Sequence, residues 1–356
     1  MMLFPLQVGR IQRIAIVRCC GLGDVAQMTP LLRQIRHDAP HARIEVFLNA
    51  NAAVLLAGSP WVDMVHALPV SAFANRSSNR LFWQLWGHVR RAGKFDLLLC
   101  LDLAWSRTVL ALTARVRRRV GLRTEAWKPF MGLDLAIPVP LDYPRNDDHT
   151  SLWFLRTWLA ATGLPDQGFS ADLSHLETED APLPKHIALV PRAGNELVSG
   201  DLKQWPLSYW PRLARRLLEQ GWTPVVLGRD GDFDMQAMPE GTLDMQGKLS
   251  IKEVAAYLYR CAGLIGNDSG LFHIALAMGT PAVGLFGPTA ALRTGPFRVS
   301  HGHVITVPLQ CVPCCSNTCA VAAAGRPESE RPFCLTALQP DLVAEEALTH
   351  FASFHR

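Results

Sequence analysis

Apolar and polar residues follow a strand–helix–strand order through the first 120 residues. Short apolar runs bounded by charged or turn residues predict strands at residues 14–17, 42–48 and 95–101. Apolar residues at helical spacing predict a helix that begins at Thr29, with Pro30 in its first turn, and further helices at residues 52–57 and 106–115. Because strands joined through helices form right-handed crossovers, this order predicts a parallel sheet.

A polar stretch at residues 172–184 interrupts the order and predicts a linker. A second α/β series follows, with strands expected at residues 186–190, 223–228, 263–266, 281–287 and 304–310 and helices at residues 208–219, 250–260 and 269–278. We therefore predict an α/β protein of two Rossmann-like domains, residues 1–178 and 179–335, facing a central cleft that binds ligand at the carboxyl ends of the strands. A final helix at residues 341–351, within 336–356, is expected to return and pack on the N-terminal domain.

Composition and charge indicate a folded protein and limit the kinds of ligand that it can bind. Hydrophobic residues make up 49% of the chain and charged residues 19%, so each half can bury a core and disorder is excluded. A net charge of +4 suits an anionic small molecule or an anionic membrane surface but lacks the concentrated basic face of a nucleic-acid-binding protein. No window approaches the roughly 20 apolar residues of a membrane span, and no export signal precedes Arg13, so we expect a cytoplasmic protein.

The segment GNDSGLFHIALAMGTPAVGLFGPT, residues 266–289, carries the strongest chemical signal. Asp268 and Ser269 follow a strand and are suited to cap the next helix, while Gly270 lets a ligand approach the backbone. The free amides of such a helix start form an anion site. An ordinary strand–helix unit with an Asp/Ser cap is the alternative, but His273 and the Gly-Pro-Thr turn at its end favour a ligand site.

This segment resembles the signature of glycosyltransferase family 9, the heptosyltransferases of lipopolysaccharide core assembly. Residues 18–44, which open with RCCGLGD, and KQWP at residues 203–206 are also similar to segments of that family, in the same order. The resemblance implies a GT-B fold and inverting transfer, without a catalytic metal, of a heptose-type sugar from a nucleotide diphosphate donor. Adenine is the base that the family habitually uses, so the implied donor is ADP-heptose.

The resemblance also assigns roles to residues. Asp24 matches the family's catalytic aspartate, which takes the proton of the acceptor hydroxyl, and a helix cap is the alternative role. Lys203 is suited to place its charge on the diphosphate. The amides of Ser269, Gly270 and Leu271 are expected on phosphate and Asp268 on sugar hydroxyls. His273 is expected either on the diphosphate or in a structural role.

The remaining donor-binding residues follow from weaker similarity. Asp232 lies roughly where the family places an acid on the ribose, and Leu249 lies in a segment similar to the one that lines the base. Gly23 and Gly194 complete the expected donor-binding set. The role of Arg192 stays open between a second cation for the diphosphate and a solvent-facing residue.

Cysteines concentrate near the C-terminus, where five lie within 24 residues. In a reducing compartment, such a cluster suggests a metal before disulfides. The residues available for a tetrahedral thiolate site are Cys311, Cys314, Cys319 and Cys334, with Cys315 to spare. A zinc or iron ion bound there would be structural, serving stability and not chemistry. The alternative is a set of reduced thiols without metal.

The leading hypothesis is therefore a glycosyltransferase at the inner face of the cytoplasmic membrane, acting on a lipid-linked acceptor. A protein acceptor, as for autotransporter-type heptosyltransferases, a non-catalytic nucleotide-sugar-binding subunit and a nucleotide-sugar epimerase remain alternatives. The basic run of residues 115–119 predicts a solvated face, with anionic lipid or acceptor phosphate as the alternative partner. Aromatic residues at helical spacing predict core or an acceptor-side surface at Phe82, Trp83 and Trp86.

Overall fold

A computed structural model describes most of the chain, with the exception of residues 1–3, 20, 69–86, 103–115, 125–132, 140–147, 194–199, 317–318, 320–331 and 355–356. The chain forms two compact units, Met1–Asp142 with Asp148–His175, and Tyr143–Asp147 with Leu176–Arg356. The division after His175 lies inside the polar stretch of residues 172–184. Phe82, Trp83, Trp86 and the predicted helix 106–115 lie outside the described residues.

Six parallel strands form the sheet of the first unit, in the order β3-β2-β1-β4-β5-β6. The central strands are apolar and buried, as parallel strands covered on both faces require. Their bounds are β1 Arg13–Arg18, β2 Arg43–Asn49, β3 Met64–Leu68, β4 Phe95–Cys100, β5 Val116–Thr124 and β6 Leu135–Val139.

The second unit repeats this topology. Its strands are β7 Leu183–Val190, β8 Thr223–Val226, β9 Leu243–Asp244, β10 Cys261–Asn267, β11 Ala282–Leu285 and β12 Gly302–Ile305. They pair in parallel in the order β12-β11-β10-β7-β8-β9. In both sheets the first and fourth strands in chain order are neighbours at the centre. The second and third strands lie on one side of them, and the fifth and sixth lie on the other. Open α/β sheets bind ligands at this switch point, outside the carboxyl ends of the strands.

Helices cover these sheets within each unit. In the first unit they are α1 Leu22–Asp38, α2 Ala50–Ala53 and α3 Thr150–Thr162. In the second unit they are α4 Trp210–Glu219, α5 Ile251–Arg260, α6 Gly270–Ala277, α7 Ala291–Thr294, α8 Phe333–Thr336 and α9 Pro340–Ala352. The predicted parallel α/β fold class is thus confirmed.

Helix α1 begins at Leu22 and not at Thr29, so Pro30 lies inside it and not in its first turn. An interior proline cannot donate to the carbonyl four residues earlier, which here belongs to Ala26. The Thr29 hydroxyl donates to that carbonyl at 2.7 Å instead. The helix therefore extends from the glycine turn through the proline without an unpaired carbonyl at Ala26.

The described part of the basic run lies in a strand. Of its members that the structure describes, Arg117, Arg118 and Arg119 belong to β5, between the buried residues Val116 and Val120. The Arg119 amide donates to the Asp134 carboxylate at 2.7 Å. Pairing of β5 with β4 and β6 therefore determines the conformation of this segment.

The C-terminal helix α9 packs on the core of the second unit. Its return to the N-terminal domain stays a prediction. Its apolar side, Val343, Ala347 and Phe351, is buried in the core that contains Trp205 and α4. This helix covers the sheet at β10, where the ring of Phe351 approaches Gly263. Burial of these side chains explains the location of the helix.

Gly263→Ala is expected to destabilise the protein by about 1–3 kcal/mol, because a larger residue over-packs the core there. A Cβ at position 263 would lie 2.5 Å from Cε1 of Phe351. Thermal and denaturant unfolding of the purified variant measure the change. Gly9→Ala is the control, because a Cβ added at Gly9 meets no atom within 4 Å. Equal stability of the two variants would contradict this account of how α9 packs.

Candidate functional site

Each unit places a group of polar side chains at its switch point. In the first unit the group follows β1 and β4, and its predicted member is Asp24. In the second unit it follows β7 and β10, and its predicted members are Lys203, residues 268–271 and His273. The same strand order therefore yields two candidate sites at equivalent positions.

Asp24 lies in the first turn of α1, next to Gly23. The Gly21 amide donates to its Oδ2 atom at 3.2 Å, which is the interaction of a capping-box acid. Its Oδ1 atom accepts from Nη2 of Arg18 at 2.5 Å. The capping role considered as an alternative is thus present in the structure. The Asp24 side chain is nevertheless 30% exposed, so it is accessible to a ligand.

Arg18 connects Asp24 to a second carboxylate that the sequence analysis missed. Nη1 of Arg18 lies 3.4 Å from Oδ1 of Asp102 and donates to the Leu101 carbonyl at 2.9 Å. Asp102 is buried, and its Oδ2 atom accepts from the Cys19 amide at 2.9 Å. A signal for Asp102 was available, because it is the acidic residue that directly follows the predicted buried strand of residues 95–101.

Asp268 is the centre of the group in the second unit. Its Oδ2 atom lies 3.2 Å from Nζ of Lys203 and accepts from the Thr294 hydroxyl at 3.4 Å, and its Oδ1 atom lies 3.3 Å from Nε2 of His273. Burial alone raises the pKa of Asp268, but hydrogen bonds from His273 and Thr289 and the charge of Lys203 outweigh burial and hold that pKa well below its usual range. Asp268 is therefore a buried carboxylate in its charged form.

Asn267 determines where Lys203 lies, and the sequence analysis missed it. Its Oδ1 atom accepts from the Trp205 amide at 2.8 Å, and its Nδ2 atom donates to the Pro191 carbonyl at 2.8 Å. The indole of Trp205 is fully buried and donates to the Leu338 carbonyl at 2.8 Å. These contacts hold the turn Gly200–Lys203 beside the end of β10. A polar residue that ends a buried strand was the available signal.

The start of helix α6 presents donors beside this ion pair. Ser269 is its N-cap residue, and Gly270 and Leu271 form its first turn. The first amides of a helix have no partner within the helix and favour an anion. The hydroxyl of Ser269 is buried and has no hydrogen-bond partner among the described residues. A buried hydroxyl without a partner is costly, so a ligand that accepts or donates there would be stabilised.

The loop after β8 holds Asp232 and Arg192 together. The Asp232 carboxylate accepts from the Arg229 amide at 2.8 Å, within its own turn. Nε of Arg192 donates to the Asp232 carbonyl at 2.8 Å, and Nη1 donates to Oε1 of Gln204 at 3.1 Å. Arg192 is thus partly buried between the loop of Asp232 and Gln204, the residue that follows Lys203, and does not simply face solvent. Gly194, the other predicted donor-binding residue of this region, lies outside the described residues.

Leu249 lies in a segment that is fastened to the same loop. Oε1 of Gln246 accepts from the Phe233 amide at 2.7 Å, and the Gly247 amide donates to the Gly228 carbonyl at 2.9 Å. Gln246 is buried, whereas Leu249 is partly exposed. The structure therefore brings the segments of Leu249 and Asp232 together at the carboxyl ends of β8 and β9.

The four cysteines of the predicted metal site line one pocket. Cys311, Cys314, Cys319 and Cys334 surround it together with apolar residues that include Leu202 and Pro288. Burial raises the pKa of the Cys334 thiol to about 12, and the neighbouring Cys314, Cys319 and Cys311 contribute in the same direction. Within the described residues, however, no group of three or more His, Cys, Asp or Glu side chains is placed to hold a metal ion.

None of the described helices is long and apolar enough to cross a membrane.

Similarity to known proteins extends over most of the chain. The model of glycosyltransferase family 9 (heptosyltransferase) matches residues 82–324. Lipopolysaccharide heptosyltransferase 1 of Pseudomonas aeruginosa is 26% identical to the chain, over 94% of this chain and 96% of its own length.

Two solved structures share the fold. The glycosyl transferase family 9 protein from Veillonella parvula has a TM-score of 0.74 at 20% identity, covering 98% of this chain and 99% of its own. The E. coli heptosyltransferase WaaC with ADP has a TM-score of 0.72 at 15% identity, covering 95% and 100%. These likenesses confirm the predicted GT-B fold type.

Proposed function

The chain belongs to glycosyltransferase family 9, and from this membership we propose that it transfers a heptose-type sugar from ADP-heptose to an acceptor of the lipopolysaccharide core. Transfer proceeds with inversion and without a catalytic metal. The similarity to a lipopolysaccharide heptosyltransferase and to a heptosyltransferase structure with ADP supports the sugar, the acceptor and the base. A lipid-linked acceptor would place the enzyme at the cytoplasmic face of the inner membrane, in peripheral contact with anionic lipid.

The observation that carries the proposal is the buried Ser269 hydroxyl at the start of α6, next to the Lys203–Asp268 pair. No described residue satisfies this hydroxyl with a hydrogen bond. A departing diphosphate needs fixed positive charge or dipoles in place of a metal ion. The ammonium of Lys203, the Ser269 hydroxyl and the amides of Gly270 and Leu271 supply them. His273 is held by Asp268, so we assign it to keeping that carboxylate charged and placed.

Asp268 itself is assigned to sugar hydroxyls, because a carboxylate would repel phosphate. Its ion pair keeps the Lys203 ammonium at the helix start before the donor arrives. Asp232 is assigned to the ribose, Leu249 to the base and Gly194 to the donor loop, all on the second unit. Gly23 is assigned to keeping the backbone beside Asp24 open for the reacting ligands.

Asp24 is assigned as the general base. Inverting transfer is a single displacement in which the acceptor hydroxyl attacks the anomeric carbon and loses its proton to one base. Asp24 fits this role because its carboxylate is partly exposed at a switch point and is oriented by Arg18 and the Gly21 amide. A subunit that only binds nucleotide sugar would need no such group, and this disfavours the non-catalytic alternative.

Asp24→Asn is expected to lower kcat by about 10²- to 10⁴-fold with donor affinity unchanged, because it removes a positioned base. Release of ADP from ADP-heptose with a lipopolysaccharide core acceptor measures kcat. Glu253→Gln is the matched control, since Glu253 is the capping-box acid of α5 and accepts from the Ser250 amide. Near-normal turnover in the Asp24 variant would leave it with the capping role alone. Activity on a protein acceptor only would favour the autotransporter-type alternative.

Lys203→Ala is expected to raise the donor KM and to lower kcat, the latter by about 10²-fold as for loss of an electrostatic donor to the leaving group. Lys248→Ala is the matched control, because Lys248 also lies in the second unit but its ammonium donates to the Asp244 carbonyl. A chelator in millimolar excess is expected to leave the activity of the unmodified enzyme unchanged. Loss of activity in chelator with the fold intact would refute the metal-independent mechanism.

We propose that any zinc or iron bound by the cysteine pocket serves stability. The thiols line a largely apolar pocket, and the described arrangement does not yet form a metal-binding group. Replacing Cys311 and Cys314 with Ser is expected to lower Tm and to release bound metal, with the donor KM nearly unchanged. Metal analysis of the unmodified protein is the direct measurement, and less than about a tenth of an equivalent per chain would exclude the site, because structural thiolate sites bind tightly.

A further inference from the structure

We propose that Asp102 is a positioning residue for the transfer reaction, acting through Arg18 on Asp24. The inference rests on the proposed role of Asp24 as general base. It adds a residue that does not reach the reacting atoms itself, and it assigns a purpose to a fully buried carboxylate at the switch point of the first sheet.

The three side chains form a continuous chain of contacts. Nη2 of Arg18 binds Asp24 at 2.5 Å, while Nη1 binds the Leu101 carbonyl at 2.9 Å and lies 3.4 Å from Asp102. Asp102 is fixed in turn, because its other oxygen accepts from the Cys19 amide at 2.9 Å. The Phe154 ring lies 5.0 Å from the guanidinium carbon. The guanidinium is thus held by the end of β4 and by helix α3, and Asp24 is held by the guanidinium.

The exposed fraction of the side chain increases from Asp102 through Arg18 to Asp24, the proposed base. The side chain of Asp102 is 0% exposed, that of Arg18 is 13% exposed and that of Asp24 is 30% exposed. A buried carboxylate requires a cation or several donors, so Asp102 draws Arg18 toward the sheet. Without the charge on Asp102, Asp24 would attract the Arg18 guanidinium more strongly than position 102 does. The guanidinium would then shift outward, toward Asp24.

The same contacts fix the orientation of Asp24. Two carboxylates bind one guanidinium through different nitrogens, Asp24 at Nη2 and Asp102 at Nη1. A neutral residue at position 102 would weaken the hold on Nη1, so the guanidinium and the Asp24 carboxylate would be held less firmly. Asp102 therefore fixes the place of Asp24.

Asp96 offers a matched control on the same strand. Its Oδ2 atom accepts from the Gln12 amide at 2.9 Å and from the Arg13 amide at 3.0 Å, so it also fastens β4 to the segment of β1. It lies at the amino end of β4, whereas Asp102 follows the carboxyl end. A purely structural role would make Asp96→Asn and Asp102→Asn alike in their effect on turnover.

The experiment is a double-mutant cycle on kcat, with donor KM and Tm measured for each variant. Asp102→Asn is expected to lower kcat about 10-fold or more while the donor KM changes less than about 2-fold, the pattern of a lost transition-state contribution. Arg18→Gln is expected to lower kcat further, and Arg18→Lys to recover part of it, because a single ammonium can hold only one carboxylate well. Asp102→Asn in the Arg18→Gln background is expected to add less than about 2-fold, since both changes act through one contact.

Asp96→Asn is expected to lower Tm with kcat within about 2-fold of the parent, and its effect is expected to multiply with that of Arg18→Gln. The inference is overturned if folded Asp102→Asn retains kcat, or if its effect multiplies in full with that of Arg18→Gln. If Asp102→Asn does not fold, the two Arg18 variants provide the test. Equal kcat for Arg18→Lys, Arg18→Gln and the parent would also overturn the inference. Normal turnover in Asp24→Asn would instead refute the proposed role of Asp24 as base. If Asp24→Asn loses turnover while Asp102→Asn keeps the kcat of the parent, only the role of Asp102 is refuted.

Discussion

A buried negative charge at the end of β10 dictates the arrangement around it. Asp268 is held in its charged form although its side chain is only 5% exposed, so cations and donors must converge on it. Lys203 satisfies this need only if the turn after β7 comes back to β10. Asn267 and the buried Trp205 hold it there. The start of α6 thereby receives a cation without a metal ion, which is the condition for the proposed chemistry.

The first unit solves the same problem with a different cation. Its sheet has the same strand order, and a carboxylate again follows a strand at the switch point. Arg18 replaces lysine, and its planar guanidinium can bind two carboxylates at once, Asp24 and Asp102. A lysine suits a site where one charge must be shared with an arriving phosphate. An arginine suits a site where a carboxylate must be held in one orientation.

Sequence alone predicted the parts of this structure that depend on local pattern. Buried strands, their parallel order and the motif around Asp268 follow from apolar runs and from the residues that end them. The start of α1, the conformation of the basic run and the packing of α9 on the second unit did not follow, because each depends on a tertiary or capping contact: Gly21 with Asp24, β5 with its neighbours, and Phe351 with Gly263. Asn267 and Asp102 were missed because their partners are backbone groups and charges distant in sequence.

The difference in exposure between the two central carboxylates separates their chemistry. Asp268 is enclosed by Lys203 and His273, so a proton added there would sacrifice several charge-assisted contacts in a region that water barely reaches. Asp24 exposes 30% of its side chain, so a ligand can reach it. Under the proposed mechanism, Asp24 is the carboxylate that a reacting hydroxyl can approach, and Asp268 is the one that keeps Lys203 at the start of α6.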